Sequence, residues 1–183
     1  MNKRRLPQIA IIAVVFAGLI VAVLLANKPR LEDIHQTILA DYRNVEHISA
    51  EQLKALEPGE LVIFDVREDS EFLVSHMDGA LQVEPGLSAD EFMDQYGNQL
   101  VGKTAIFYCS VGRRSSALIS DLAPRLSVTT KAYNLSGGLF QWHNQGRELV
   151  NDEGEMIQAI HPYNRYWGQL IVDKSAIRFD VDD

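Results

Sequence analysis

Hydrophobic positions follow two different periods along this chain, and one segment follows none. From Ile9 to Ala26 there are 18 consecutive residues without a charge, and a helix of that length spans roughly 27 Å, close to the hydrocarbon thickness of a bilayer. After it, Leu31, Ile34, Ile38, Leu39 and Tyr42 recur at helical spacing between Glu32, Asp33, Gln36 and Asp41, which predicts an amphipathic juxtamembrane helix packed on the following domain as a spacer. Short apolar runs then alternate with helical patterns. Helices are predicted over Ser49 to Leu56, Ser70 to His76, Ala89 to Leu100 and Ser115 to Leu126, and strands over Leu61 to Val66, Ala80 to Val83, Thr104 to Cys109 and Lys131 to Leu135. Such alternation predicts an α/β domain with a parallel sheet covered by helices on both faces. In that architecture the active site sits at the carboxyl ends of the strands.

Length and composition narrow this further. The chain of 183 residues has room for one domain plus short extensions, so one active site is expected. The expected organisation is a basic n-region and transmembrane anchor over 1–26, the juxtamembrane helix over 27–44, the domain over 45–150 and a C-terminal extension over 151–183. Five of the 17 basic residues and none of the 25 acidic ones fall in the first thirty positions. The remainder is therefore strongly acidic, which speaks against nucleic acid as a partner and against broad contact with anionic lipid.

Lys3, Arg4 and Arg5 before the apolar segment would suit either a signal peptide or an anchor. Two features favour an uncleaved anchor through residues 9–26: the apolar stretch is longer than a usual signal core, and a cut after Ala26 would leave Leu24 where a small residue is required. A buried globular helix is the third reading and ranks last, because the segment is apolar all round beside a basic cluster. The basic residues preceding the segment outnumber Lys28 and Arg30 after it, so the basic end is expected in the cytoplasm and the domain on the extracytoplasmic, periplasmic side.

The chemistry centres on Cys109, the one cysteine of the chain. It stands where the strand Ala105-Ile106-Phe107-Tyr108 ends and Ser110-Val111-Gly112-Arg113-Arg114-Ser115 leads into a helix. A strand-loop-helix turn aims backbone N–H groups and the positive helix end at whatever occupies its mouth, and this stabilises a thiolate. Arg113 and Arg114 add positive charge that lowers a thiol pKa, while Gly112 permits the positive φ with which a loop curls round the sulfur. A lone cysteine at a strand end is more often buried and inert; the glycine and two arginines reverse that expectation here.

The segment Cys109-Ser110-Val111-Gly112-Arg113-Arg114-Ser115 resembles the C-x-x-G-x-R-S active loop of the rhodanese family. Phe64-Asp65-Val66-Arg67-Glu68 with Glu71-Phe72, then His76-Met77-Asp78-Gly79-Ala80, resemble two upstream marks of that family. Leu135-Ser136-Gly137-Gly138 with Trp142 and Gly146 resembles its closing motif. The resemblance runs from about Val45 to Val150, with departures at Ser75, Met77 and Asp78. It implies a rhodanese-like parallel sheet and a sulfurtransferase that needs no metal or organic cofactor. Cys109 would be the nucleophile and persulfide carrier. The substrates implied are a small sulfur-donor anion such as thiosulfate and an external thiol or cyanide acceptor, a protein thiol included.

Backbone N–H groups from Ser110 to Ser115 would hold the anionic terminal sulfur. By similarity Arg114 belongs to the loop framework, and Arg113 is the candidate directed at substrate. The related phosphatases use C-x5-R; here Ser115 occupies that arginine position, so the cradle is one residue short. A different class of function, a catalytically weak rhodanese-like module that binds or senses a partner at the membrane, is the alternative, and the intact loop favours the enzyme.

The remaining polar residues have plainer expected roles. Asp65, Arg67 and Glu71 are expected to fix a strand-to-helix turn rather than to catalyse. His35, His47, His76, His143 and His161 lack metal-ligand spacing. The cluster His161-Pro162-Tyr163-Asn164-Arg165-Tyr166-Trp167 is expected to pin the extension to the domain surface, ahead of a rim in which Arg165 or His161 meets the donor.

Overall fold

The computed structural model describes residues 29–182. The apolar segment 9–26 lies outside that range, and among the described residues no helix is long and apolar enough to cross a membrane. Seven strands and six α-helices follow in order: α1 (Leu31–Asp41), β1 (Glu46–Ile48), α2 (Ala50–Lys54), β2 (Leu61–Asp65), α3 (Asp69–Val74), β3 (Leu81–Gln82), α4 (Ala89–Tyr96), β4 (Thr104–Tyr108), α5 (Arg113–Leu122), β5 (Lys131–Leu135), α6 (Gly138–Asn144), β6 (Leu149–Val150) and β7 (Met156–Ile157). Five of the strands form one parallel sheet in the order β1-β5-β4-β2-β3. The expected α/β architecture is therefore present, with β4 at the centre of the sheet and its carboxyl end beside those of β2 and β5.

Helix starts are set by local side chains. Ser49 and Gln52 exchange a capping box at α2, the Gln52 N–H donating to Ser49 Oγ at 3.2 Å and the Ser49 N–H to Gln52 Oε1 at 2.9 Å. Ser88 and Glu91 do the same at α4. Each such box satisfies N–H groups that the first helical turn leaves without partners. The helix expected from Ser115 begins earlier, at Arg113, because Gly112 takes φ 95° and serves as its N-cap. It ends at Leu122 rather than at Leu126.

Period-two alternation in β4 divides the interior into two cores. Ala105, Phe107 and Cys109 face one side with Phe64, Phe92 and the α5 residues Leu118, Ile119 and Leu122. Phe64 stacks on Phe107 at 4.9 Å between ring centroids and meets Phe92 edge-on at 5.1 Å. Ile106 and Tyr108 face the other side with Leu135, Leu139 and Phe140. Strand β4 is thus buried on both faces, which is why it reads as a continuous apolar run.

The second core also contains Ile160, Leu170, Ile171 and Ala176. The C-terminal extension is therefore seated in the interior rather than pinned on the surface. Asn144 at the end of α6 holds it there, donating from Nδ2 to the Leu170 carbonyl and accepting the Val172 N–H at Oδ1, both at 2.8 Å. The Ile160 N–H donates to the Ala176 carbonyl at 2.9 Å. At the other end of the described chain, α1 buries Ile38 fully and places Leu31 and Ile34 against the second core, so this helix packs on the domain along its apolar stripe.

Candidate active site

Cys109 is 1% exposed at the carboxyl end of β4, and its Sγ accepts the Gly112 N–H at 3.2 Å. Burial opposes ionisation of this thiol. The charge of Arg114, N–H groups of Ser115 and Val111 and the Ser115 hydroxyl outweigh burial and hold its pKa below the ordinary thiol value. The donors that lower it, apart from Arg114, all belong to the loop and the first turn of α5. The shape of the loop depends on a second helix: the N–H groups of Leu139 and Phe140, in the first turn of α6, donate to the carbonyls of Cys109 and Ser110 at 2.9 and 3.0 Å. With those carbonyls engaged outward, the loop N–H groups are left to face the sulfur.

Arg114 is held in a fork. Its Nη1 donates to Glu71 Oε2 at 2.8 Å and its Nη2 to Glu71 Oε1 at 3.0 Å, and Nη2 also reaches Ser110 Oγ at 2.9 Å. Ser110 Oγ in turn donates to Glu71 Oε1 at 2.6 Å. Burial alone would raise the Glu71 carboxyl pKa, but Arg114 and then Arg67 and Ser110 bring it below the usual range. Glu71 thus joins α3 to the active loop, a role beyond the fixing of a turn expected for it. Asp65 and Arg67 do fix the turn after β2: Arg67 Nε donates to Asp65 Oδ1 at 2.8 Å, and Nη2 donates to Asp65 Oδ2 at 2.6 Å and to the Ser75 carbonyl at 2.7 Å.

Arg113 has a different partner. Half-exposed, it pairs with Asp41 of α1 at 3.0 Å and lies over the Tyr42 ring at 5.9 Å. Its position borders the pocket, but its charge is committed to α1. Arg114 carries the charge nearest the thiol. Replacing Arg114 by methionine is expected to raise the Cys109 pKa and to slow alkylation by iodoacetamide at pH 7 roughly tenfold, as the thiolate fraction falls. Arg114→Lys should recover part of the loss. An unchanged pH profile for alkylation in Arg114→Met would show that the arginine does not tune the thiol.

Behind the sulfur runs a buried polar line. Ser115 Oγ donates to Asn134 Oδ1 at 2.6 Å, and Asn134 Nδ2 lies 3.3 Å from His47 Nδ1. Asn134 is fully buried in β5 and packs so closely on the loop that a Cβ at Gly112 would lie 2.9 Å from its Nδ2. Desolvation, with His35 beside it, lowers the His47 pKa to about 4. A histidine with a depressed folded pKa favours folding while neutral. That contribution is complete above the unfolded value near 6.5 and is lost as pH falls from there towards about 4. Thermal unfolding should accordingly show a fall in stability across that window that His47→Gln reduces; an unaltered slope in the variant would refute the assignment.

The mouth of the site is a pocket of about 180 Å³ bordered by Cys109, Ser110, Val111, Arg113, Arg114, Tyr163 and Trp167, with predominantly apolar walls. The C-terminal extension therefore does form a rim, through residues other than the two expected. Tyr163 lies over Arg114, 5.2 Å from guanidinium carbon to ring centre. His161 sits behind it, 7% exposed, accepting the Tyr163 N–H on Nδ1 at 3.1 Å. Arg165 borders a separate groove with Pro162, Gly168 and Lys174. Asn134, a polar residue between Tyr133 and Leu135 in β5, carried a local sign of its burial against the loop. Tyr163 and Trp167 carried none, because their approach to the loop is a long-range contact.

Residues 49–145 match the rhodanese-like domain. No curated protein shows significant similarity to the chain. Among solved structures, a thiosulfate sulfurtransferase from Pseudomonas aeruginosa is 20% identical with a TM-score of 0.50, over 68% of this chain and 23% of that one. A rhodanese-like domain protein from Staphylococcus aureus is 24% identical, TM-score 0.47, over 59% of this chain and 99% of that one. A Rhodopseudomonas palustris protein described as a possible tyrosine phosphatase is 22% identical, TM-score 0.49, over 62% and 91%. Likeness at these identities is one of fold. The match over residues 49–145, more than half of the chain, together with the order of motifs around Cys109, establishes that the chain belongs to the rhodanese-like family.

Proposed function

We propose that this protein is a sulfurtransferase in which Cys109 carries sulfane sulfur as a persulfide. The observation that carries the reading is the thiol itself: buried at the end of β4, its pKa lowered by Arg114 and loop N–H groups against the effect of burial, with its Sγ on the Gly112 N–H. In the first half-reaction the thiolate attacks the outer sulfur of a donor such as thiosulfate. The S–S bond of the donor breaks, sulfite leaves with the electron pair, and Cys109 is left as a persulfide anion. In the second, cyanide or a thiolate attacks the outer sulfur and the Cys109 thiolate is regenerated. Because the chain has one cysteine, no internal thiol can resolve the persulfide and the acceptor must come from outside. A phosphatase reading is disfavoured because four residues separate Cys109 from Arg114 and Ser115 stands at the sixth position.

Mass spectrometry of the purified chain after exposure to thiosulfate is expected to show one added sulfur on Cys109, discharged as thiocyanate when cyanide follows. Failure of every sulfane donor to load a thiol that iodoacetamide still alkylates would favour the binding module instead.

The reading includes attachment to a membrane through residues 9–26, with the domain on the extracytoplasmic side; the uncharged length of that segment and the basic residues before it support this. An impermeant protease added to intact cells or spheroplasts should digest the domain. Protection until the membrane is broken would place the domain in the cytoplasm.

A further inference from the structure

Tyr163 is the one non-glycine residue with positive φ among the described residues, at 64°. The Asn164 N–H donates to the Pro162 carbonyl at 2.8 Å across it, the hydrogen bond and φ of a strained γ-turn. For a bulky residue such a backbone is unfavourable and persists only where its surroundings enforce it. Here the His161 ring accepts the Tyr163 N–H, and the Pro162 ring lies against Gly168, where a Cβ would come within 3.0 Å. The effect of the turn is to set the Tyr163 ring over Arg114, at the mouth that Trp167 and Cys109 also line.

The charges at that mouth are already engaged. Both arginines that border it are ion-paired, Arg114 with Glu71 and Arg113 with Asp41. A compact dianion entering would meet apolar walls and no arginine without a carboxylate partner, while its second charge would be desolvated. A singly charged sulfur anion can place that charge in the N–H loop and any attached apolar group against the two rings.

We propose that Tyr163 and Trp167 select, as sulfur donor, a singly charged sulfane anion borne on an apolar organic group, an organic thiosulfonate or persulfide, over inorganic thiosulfate. This rests on the sulfur-transfer reading of Cys109. With an aryl thiosulfonate the thiolate attacks the outer sulfur, the bond between the two donor sulfurs breaks, the sulfinate leaves with its electron pair, and total charge is conserved at two negatives on each side.

The test measures kcat/KM with cyanide as acceptor for benzenethiosulfonate, methanethiosulfonate and thiosulfate, in the full chain and in Trp167→Leu and Tyr163→Gly. Glycine accepts the positive φ, so that variant removes the ring while keeping the turn. The full chain should use benzenethiosulfonate at least tenfold better than thiosulfate, with methanethiosulfonate between them. Each variant should narrow the ratio of aryl to inorganic donor by about tenfold, with a melting temperature that confirms folding. Preference for thiosulfate, or equal losses on all donors in both variants, would overturn the inference while leaving sulfur transfer in place. If no donor loads Cys109 at all, the transfer reading falls and this one with it.

Discussion

Cys109→Ser is expected to lose sulfur loading and thiocyanate formation altogether, a decrease of more than about a thousandfold in kcat/KM. A hydroxyl cannot form the persulfide, and no second thiol exists in the chain to substitute for it. The fold should not notice the change. Serine is close in size, and its buried oxygen can accept the Gly112 N–H that Sγ accepts at 3.2 Å, so no polar group is left without a partner. Urea unfolding of the variant should therefore agree with the parent within about 1 kcal/mol. Transfer that survives in a folded Cys109→Ser protein would remove the cysteine from the mechanism, and loss of activity accompanied by unfolding would leave Cys109 as a packing residue.

Gly138→Ala is expected to be the most damaging single-methyl substitution near the site. Gly138 has φ 59°, and a Cβ there would stand 2.4 Å from the Cys109 carbonyl oxygen and 2.8 Å from both the Gly112 nitrogen and the Ser110 carbonyl oxygen. All three neighbours are backbone and none can swing aside. Positive φ costs about 1 kcal/mol and the forced separation about 2 kcal/mol, so a destabilisation of roughly 3 kcal/mol is expected. Activity should fall further than stability explains, because α6 can retreat only by releasing the carbonyls of Cys109 and Ser110, and displacement of reacting groups by about an ångström can cost a hundredfold in rate. Gly146→Ala is the control: its φ is 68° but nothing lies within 4 Å, so only the backbone cost of about 1 kcal/mol applies. Equal effects of the two substitutions would show that close approach of α6 to the loop is not what Gly138 provides.

The central strand β4 was legible because burial on both faces leaves a continuous apolar run, although Thr104–Tyr108 ends one residue earlier than expected; Lys131–Leu135 is a strand over the residues expected. The three-residue β1 was not legible. Glu46 and His47 give it no apolar pattern, and its pairing with β5 is a tertiary contact. The hairpin of β6 and β7 has two residues in each strand, too few for any period to register. At the site, the cysteine, the glycine of positive φ and the nearby arginines were readable as a thiolate loop, since local sequence determines a turn. Which arginine faces the sulfur was not, because that depends on Glu71 and Asp41, carboxylates brought in from α3 and α1. The aromatic rim was hidden for the same reason: His161 and Arg165, the two residues of the extension expected at a rim, do not border the pocket, whereas Tyr163 and Trp167 do.

The interior position of Ile160, Leu170 and Ile171 also bears on how the chain is made. Synthesis delivers β4 and its cysteine more than fifty residues before these side chains emerge, and until they do, the sheet face carrying Ile106 and Tyr108 has lost part of its cover. A nascent or prematurely terminated chain ending near Val150 would expose that apolar surface, and such surfaces are what aggregation and cellular proteolysis act upon. The Cys109 loop would at the same stage lack Tyr163 and Trp167. Acquisition of the finished mouth and burial of the last core residues are thus one event, so incomplete chains are left both without their aromatic rim and marked for disposal.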